Sequence, residues 1–145
     1  MTGGMVFNRK LQGSKTYKLL KEAFTLECYG ELRCKLFASI AQNEGLPAIA
    51  TVFNEVARSQ NTHAINHFNI MRDSGELYYG LKTGNTIDNL KTALTAELHE
   101  SDVSAGLIKV ANDEGFIEIA DKIEEMALAE LANIHRLTAL EDEII

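Results

Sequence analysis

At 145 residues, with 46% hydrophobic and 24% charged side chains, the chain is long enough to bury a core and short enough for one domain, expected over residues 1–145 with a tail at 1–13. A formal net charge of −7 repels phosphate backbones and speaks against nucleic acid as a partner, and no apolar run approaches the ~20 residues of a membrane span. One proline and no tryptophan, among abundant Ala, Leu, Ile and Glu, point to helix.

The opening MTGGMVFNRK lacks the apolar core of a secretory signal, so a cytoplasmic location is expected. Arg9, Lys10, Lys15, Lys18 and Lys21 form a local basic cluster, read as a solvated tail and first turns. The first helix is predicted from Ser14, a good N-cap, to about Asn43, with Gly45 ending it. Within it, Cys28 and Cys34 stand roughly 9 Å apart along the axis, too far for a disulfide. Neither belongs to a C-x-x-C pair, so no rubredoxin-like or zinc-ribbon site is expected, and both read as packing residues in a reducing compartment. The second helix is predicted from Pro47, a first-turn residue, to about Asp73, with Gly75 beyond. A looser, glycine-containing stretch follows, in which Tyr78 and Tyr79 are candidates to cover a bundle face or a dimer partner. The third helix starts near Thr86 and ends before Gly115; the fourth runs from about Phe116 to Asp142.

The two halves repeat. Residues 39–57, SIAQNEGLPAIATVFNEVA, lie over residues 109–127, KVANDEGFIEIADKIEEMA, at an offset of 70. Matched identities include Leu20 with Leu90, Ala41 with Ala111, Glu44 with Glu114, Gly45 with Gly115 and Ala50 with Ala120. A helix–turn–helix unit used twice, with a longer connection between copies, describes an all-α four-helix bundle of two hairpins.

Steps of seven trace the apolar stripes. The first helix gives Leu20, Glu27, Cys34, Ala41, flanked by Phe37 and Ile40; the third gives Leu90, Glu97, Ser104, Ala111. The fourth gives Phe116, Ile123, Glu130, Leu137, with Ile119 and Met126 beside it. The second is expected to read Ile49, Val56, His63, Ile70, with Val52, Phe53 and Gln60 alongside. Each helix thus carries a polar residue in mid-stripe, and Glu100 follows one turn after Glu97. Burying several ionised carboxylates together costs several kcal/mol each unless they are protonated, paired with cations or bound to metal. The stripes hold no Lys or Arg at that level, so a divalent ion is expected. Oxygen ligands with one imidazole suit iron or manganese, and less distinctively zinc.

These residues resemble the rubrerythrins. LQGSKTYKLLKEAF followed by LE is similar to the family's opening, and LFASIAQNEGLPAIATVFNEVA, TIDNLKTALTAELHE and KVANDEGFIEIA resemble its later stretches. The resemblance implies a ferritin-like four-helix bundle and reduction of peroxide at a di-iron centre. It also implies a ligand set in which the first and third helices each give one glutamate and the second and fourth each give E-x-x-H. On that pattern Glu27 and Glu97 match the single glutamates, and Glu100 matches an additional one characteristic of the family. The second helix departs, reading Gln60, Asn61, Thr62, His63. The fourth reads Glu130, Leu131, Ala132, Asn133. The repeat pairs Gln60 with Glu130 and His63 with Asn133, so each half keeps what the other has lost.

The retained set is therefore Glu27, His63, Glu97, Glu100 and Glu130, with Gln60 and Asn133 as altered positions: enough for one metal ion, and short of the full set for two. Cys34 stands where the family usually has a tyrosine, and the span between Glu100 and Gly115 is about one residue shorter, which implies a changed helix bulge. His67 is an outer-ligand candidate or a satisfied core or rim group; His99 and His135 read as surface. Three functions remain open: an iron oxidoreductase acting on peroxide or oxygen with an external electron donor, a non-catalytic metal-binding or structural bundle, and a metal-free bundle. A homo-oligomer, specifically a dimer, is expected from the resemblance.

Overall fold

The computed structural model describes residues 11–72, 76–78 and 81–144. Four long helices carry nearly all of it: α1 (Lys15–Asn43), α2 (Pro47–Arg72), α3 (Thr86–Asp113) and α4 (Ile117–Ile144). This is the all-α, ferritin-like four-helix class, arranged as two helical hairpins. The chain divides into two compact units, Met1–Gly75 holding α1 and α2, and Glu76–Ile145 holding α3 and α4. No helix among the described residues is long and apolar enough to cross a membrane.

Local chemistry sets the ends. The Ser14 hydroxyl oxygen accepts from the Tyr17 amide at 3.0 Å, and the Asn85 carbonyl oxygen accepts from the Asp88 amide at 2.9 Å, each satisfying a donor that a first helical turn leaves open. The two tight turns are copies of one another. Glu44 and Glu114 cap at φ −82° and −86°, and Gly45 and Gly115 follow in the left-handed region at +75° and +85°. Leu46 N–H then donates back to Ala41 at 2.9 Å and Phe116 N–H to Ala111 at 2.7 Å, while each glycine N–H donates to Gln42 or Asn112 at 3.1 Å. This is a Schellman closure used twice. The sequence repeat is thus a repeat of backbone geometry.

Each hairpin is held along a seam of strict seven-residue period. In α1 it runs Leu20, Glu27, Cys34, Ala41 with Phe24, Glu31 and Ala38; in α3 it runs Leu90, Glu97, Ser104, Ala111 with Leu94, Ser101 and Ile108. All of these are buried or half-buried, as the stripes of α1 and α3 predict. The α2 seam is one residue away from its expected line. Ala50, Ala57, Ala64 and Met71 are buried and Phe53, Gln60 and His67 half-buried, whereas Ile49, Val56 and His63 are exposed. Alanine wins because it lets two backbones approach closely, and the larger Ile49 and Val56 are pushed to the flank. In α4 the seam is Ala120, Ala127, Ile134 and Glu141 with Ile123, Glu130 and Leu137; Phe116 lies before the helix and is exposed. A two-position seam has the width of one neighbouring helix. Flanking residues assigned to the core, including Phe37, Ile40, Val52, Ile119 and Met126, therefore remain about half exposed.

Aromatic contacts close the first hairpin: Phe24 meets Phe68 at 6.1 Å and Phe37 meets Phe53 edge-on at 5.5 Å. The expected loose connection contains a short antiparallel ribbon, β1 (Glu76–Tyr78) and β2 (Leu81–Lys82), with an irregularity between Glu76 and Tyr78. Arg9 and Lys10, the expected helix end at Asp73 and Gly75, Tyr79, and the Tyr78 side chain lie outside what is described. The α3 helix is regular α from Thr86 to Asp113, with no bulge where the shortened span implied a change.

Nothing lies within 4 Å of a Cβ built on Gly45 or Gly115, so their positive φ is the whole reason for glycine. Gly45→Ala and Gly115→Ala are each expected to destabilise the protein by about 1 kcal/mol. Urea unfolding checks this, and an unchanged midpoint for either would contradict the turn assignment.

Candidate metal centre

In the first hairpin, Glu27 projects from α1 into the seam and His63 stands opposite on α2, with His63 Nδ1 3.4 Å from Glu27 Oε1. The carboxylate side chain is 24% exposed and the imidazole 55%, because Glu27 occupies a seam position and His63 the position beside one. Gln60 points inward from α2. Its Oε1 is cut off from solvent and has no hydrogen-bond partner. The amide lies over buried Gly30: a Cβ there would overlap Gln60 Nε2 and stand 2.8 Å from its Cδ. Gly30 is therefore required by the lie of Gln60, despite the cost of glycine within a helix. One turn past His63, His67 is half-buried, and its Nδ1 is likewise shut off from solvent without a partner.

In the second hairpin, Glu97 and Glu130 are half-buried as whole residues, yet Oε2 of each is fully enclosed and accepts no hydrogen bond. The other oxygen of Glu130 accepts from the Ser104 hydroxyl at 3.0 Å across the seam. Glu100 is exposed. Asn133 is half-buried, but its carbonyl oxygen accepts from Arg136 Nη2 at 2.7 Å, and Arg136 Nε also reaches the Ala132 carbonyl at 3.4 Å. That oxygen is engaged by its own helix. His99 and His135 are exposed, as expected.

The structure thus brings Glu27 and His63 together and turns Glu97 and Glu130 into the other seam. Among the described residues no group of three or more His, Cys, Asp or Glu side chains converges as a ready metal site. The donor chemistry nonetheless fits a cation. An enclosed, unpaired carboxylate oxygen costs about 1–3 kcal/mol or more, and Glu97 and Glu130 carry one each. Lysine does not relieve them: the lysine ion pairs of the described residues go to Glu31, Asp113 and Glu125.

The profile of the rubrerythrin family matches residues 18–84. A rubrerythrin of Porphyromonas gingivalis is 34% identical over 139 residues, covering 92% of this chain and 69% of that protein. One from Clostridium perfringens is 32% identical over 145 residues, covering 94% and 74%. The chain belongs to the rubrerythrin family. A putative rubrerythrin of Methanocaldococcus jannaschii is also similar, 26% identical over 144 residues.

Three residues of this rubrerythrin-family chain escaped sequence reading as parts of the site: Gly30, Ser104 and Arg136. The repeat carried the signal for two of them. The offset of 70 pairs Gly30 with Glu100 and Cys34 with Ser104. Gln60 leans over a residue with no side chain, whereas Glu130 faces a helix that has a glutamate at that place and a hydroxyl one turn on. Of the two free cysteines, Cys34 is buried as expected, but Cys28 is exposed rather than packed. Partial desolvation, and then the negative charges of Glu31 and Glu27, push the Cys28 thiol up, away from the thiolate form a soft metal would need.

Beside this site Glu31 links the helices, accepting from Lys35 Nζ at 2.7 Å and from Asn61 Nδ2 at 3.1 Å. Those bonds hold its carboxyl below the ordinary 4.5. A lowered folded value stabilises above the unfolded one and is lost as pH falls through the folded value. The melting temperature of Glu31→Gln should therefore sit below wild type at pH 7, with the gap narrowing steadily below about pH 4.5. A gap of equal size at pH 3 would refute the assignment.

Proposed function

We propose that this chain is a non-haem iron protein of oxidoreductase type that reduces peroxide or oxygen, using electrons from an external donor. The observation that carries it is the pair of enclosed, unpartnered oxygens on Glu97 and Glu130, in a chain of the rubrerythrin family. Glu27, His63, Glu97, Glu100 and Glu130 would hold the metal, iron before manganese or zinc, since hard carboxylates with one imidazole suit that ion. Iron, when bound, would supply one-electron exchange between ferrous and ferric states, so the external donor would have to deliver two electrons for each peroxide reduced to water. Glu27, 3.4 Å from His63 Nδ1, orients that imidazole. Glu100, exposed and outside the seam, is the carboxylate free to swing as the charge of the site changes.

The ligand set is incomplete relative to two E-x-x-H pairs. Gln60 brings no negative charge, and the Asn133 oxygen is occupied by Arg136. The reading therefore has one metal held firmly. The reading takes residues 1–145 as a single bundle domain in the cytoplasm, and the exposed Leu19 and Leu26, one heptad apart on α1, support a homodimer. A second reading, a non-catalytic metal-binding or structural bundle, is favoured by the Arg136–Asn133 bond, which withdraws the position a second capping histidine would fill.

Elemental analysis of protein expressed in iron-rich medium decides between them when combined with peroxide turnover. One iron per chain with peroxide-dependent oxidation supports the oxidoreductase; one metal without turnover supports the second reading; no metal, and no loss of melting temperature on chelation, defeats both. Gln60→Glu combined with Asn133→His should raise iron content towards two per chain. Unchanged binding would show that those positions are not ligand positions.

A further inference from the structure

We propose that the outward face of α1 is a self-complementary surface on which a second copy of this chain docks, with the two α1 helices antiparallel. The inference rests on the homodimer taken above and names the surface and register that would form it.

On the side of α1 away from α2, Leu19, Glu22, Leu26, Tyr29, Arg33 and Leu36 follow one another in alternating steps of three and four. That spacing draws a single line along a helix, as in the seam of a coiled coil. Every member is exposed, and the apolar ones strongly so: Leu19 63%, Leu26 62%, Tyr29 65% and Leu36 56%. The line keeps the seven-residue step of the covered seam Leu20, Glu27 and Cys34, so the two run side by side without drifting around the helix. The row belongs to α1 and not to the repeat. At the matched places α3 has Asn89, Ala96, His99 and Gly106 for the four apolar residues, so the frame common to both hairpins does not require them.

The order of the row says what fits it. In a two-fold dimer, residue i of one copy meets j of the other, and j meets i. With antiparallel helices crossing between Glu27 and Cys28, Leu19 meets the partner's Leu36, Glu22 the partner's Arg33, and Leu26 the partner's Tyr29. The same three layers then recur in reverse, and each copy's acid lies against the other's base. Parallel helices would instead set Glu22 against Glu22 and Arg33 against Arg33, two like-charge contacts. Among the described residues neither Glu22 nor Arg33 has an ion-pair partner. The Arg33 guanidinium lies 5.4 Å from the Tyr29 ring centre, which keeps it on the row. An unrelated helix has no reason to carry this order reversed; a second copy carries it by construction.

Sedimentation equilibrium of the full chain, with metal content recorded in parallel, gives the dissociation constant of the dimer. Wild type is expected to dimerise. Glu22→Arg and Arg33→Glu each make both charged layers like-charged, and each should weaken the dimer about 10-fold or more. Combined in one chain they restore opposite charges in the antiparallel register, and dissociation should return to within about 3-fold of wild type. Leu26→Ser thins the two central layers without changing charge; it should also weaken the dimer, and it serves if a charge variant loses its helical circular dichroism. A dimer that the single variants leave as tight as wild type overturns the proposal, while the homodimer stands on another face. Weakening by the single variants with no recovery in the combined one overturns the antiparallel register, and the proposal with it. A monomeric wild type defeats the homodimer reading as well, and the metal reading is then judged separately by the metal content.

Discussion

A helical hairpin with an alanine-rich seam brings two backbones close, and a carboxylate placed in that seam loses water on at least one oxygen. Ala50, Ala57 and Ala64 do this in the first hairpin, Ala111 and Ala120 in the second. Glu97 and Glu130 occupy seam positions whose neighbours along the same line, Leu90, Ile123 and Leu137, are apolar. Their enclosed oxygens are therefore a consequence of periodicity: the heptad that pairs the helices also turns the glutamates inward. What satisfies those oxygens determines what the protein can do. A proton would give a neutral hydrogen-bonding core, and a metal ion a reactive centre.

The repeat keeps one backbone frame while the polar residues within it differ. Matched turns, with nearly identical dihedral angles at Glu44 and Glu114 and at Gly45 and Gly115, keep both hairpins in one register. Inside that register the polar positions have diverged in opposite directions. Gln60 carries an amide that lies over Gly30; its counterpart Glu130 carries a carboxylate that accepts from Ser104. Asn133, the counterpart of His63, has a short amide whose oxygen accepts from Arg136 on its own helix. Asn133 thus has a partner on its own helix, whereas the Gln60 amide has space over Gly30 and an enclosed oxygen with no partner.

Much of this was legible in the residues. Helix number, class, both N-terminal and glycine signals, and the inward turn of Glu27, Glu97 and Glu130 follow from period and capping, because those are local properties of the chain. The second helix was misread by one position because Ile49 and Val56 are the stronger hydrophobes, while the seam selects for smallness: Ala50, Ala57 and Ala64 sit at equal spacing and read as filler until two backbones are seen to meet there. The short ribbon at Glu76–Tyr78 and Leu81–Lys82 was hidden because a strand of three residues and one of two carry no readable alternation. The Ser104–Glu130 bond was invisible for a different reason. Its partners are 26 residues apart, and nothing in either residue's neighbours along the chain announces the other.

Exposure of His63 and Glu100 follows from the same geometry and bears on the chemistry. His63 stands beside seam residue Ala64, and Glu100 beside Ser101; a two-helix contact covers only the seam line. Of the two, His63 is held by Glu27 at 3.4 Å, whereas Glu100 is exposed; Glu130 is bonded at one oxygen and enclosed at the other. Seam position thus decides which polar groups lose water: Glu97 and Glu130 on the seam line each have an enclosed oxygen, and Glu100 beside it does not.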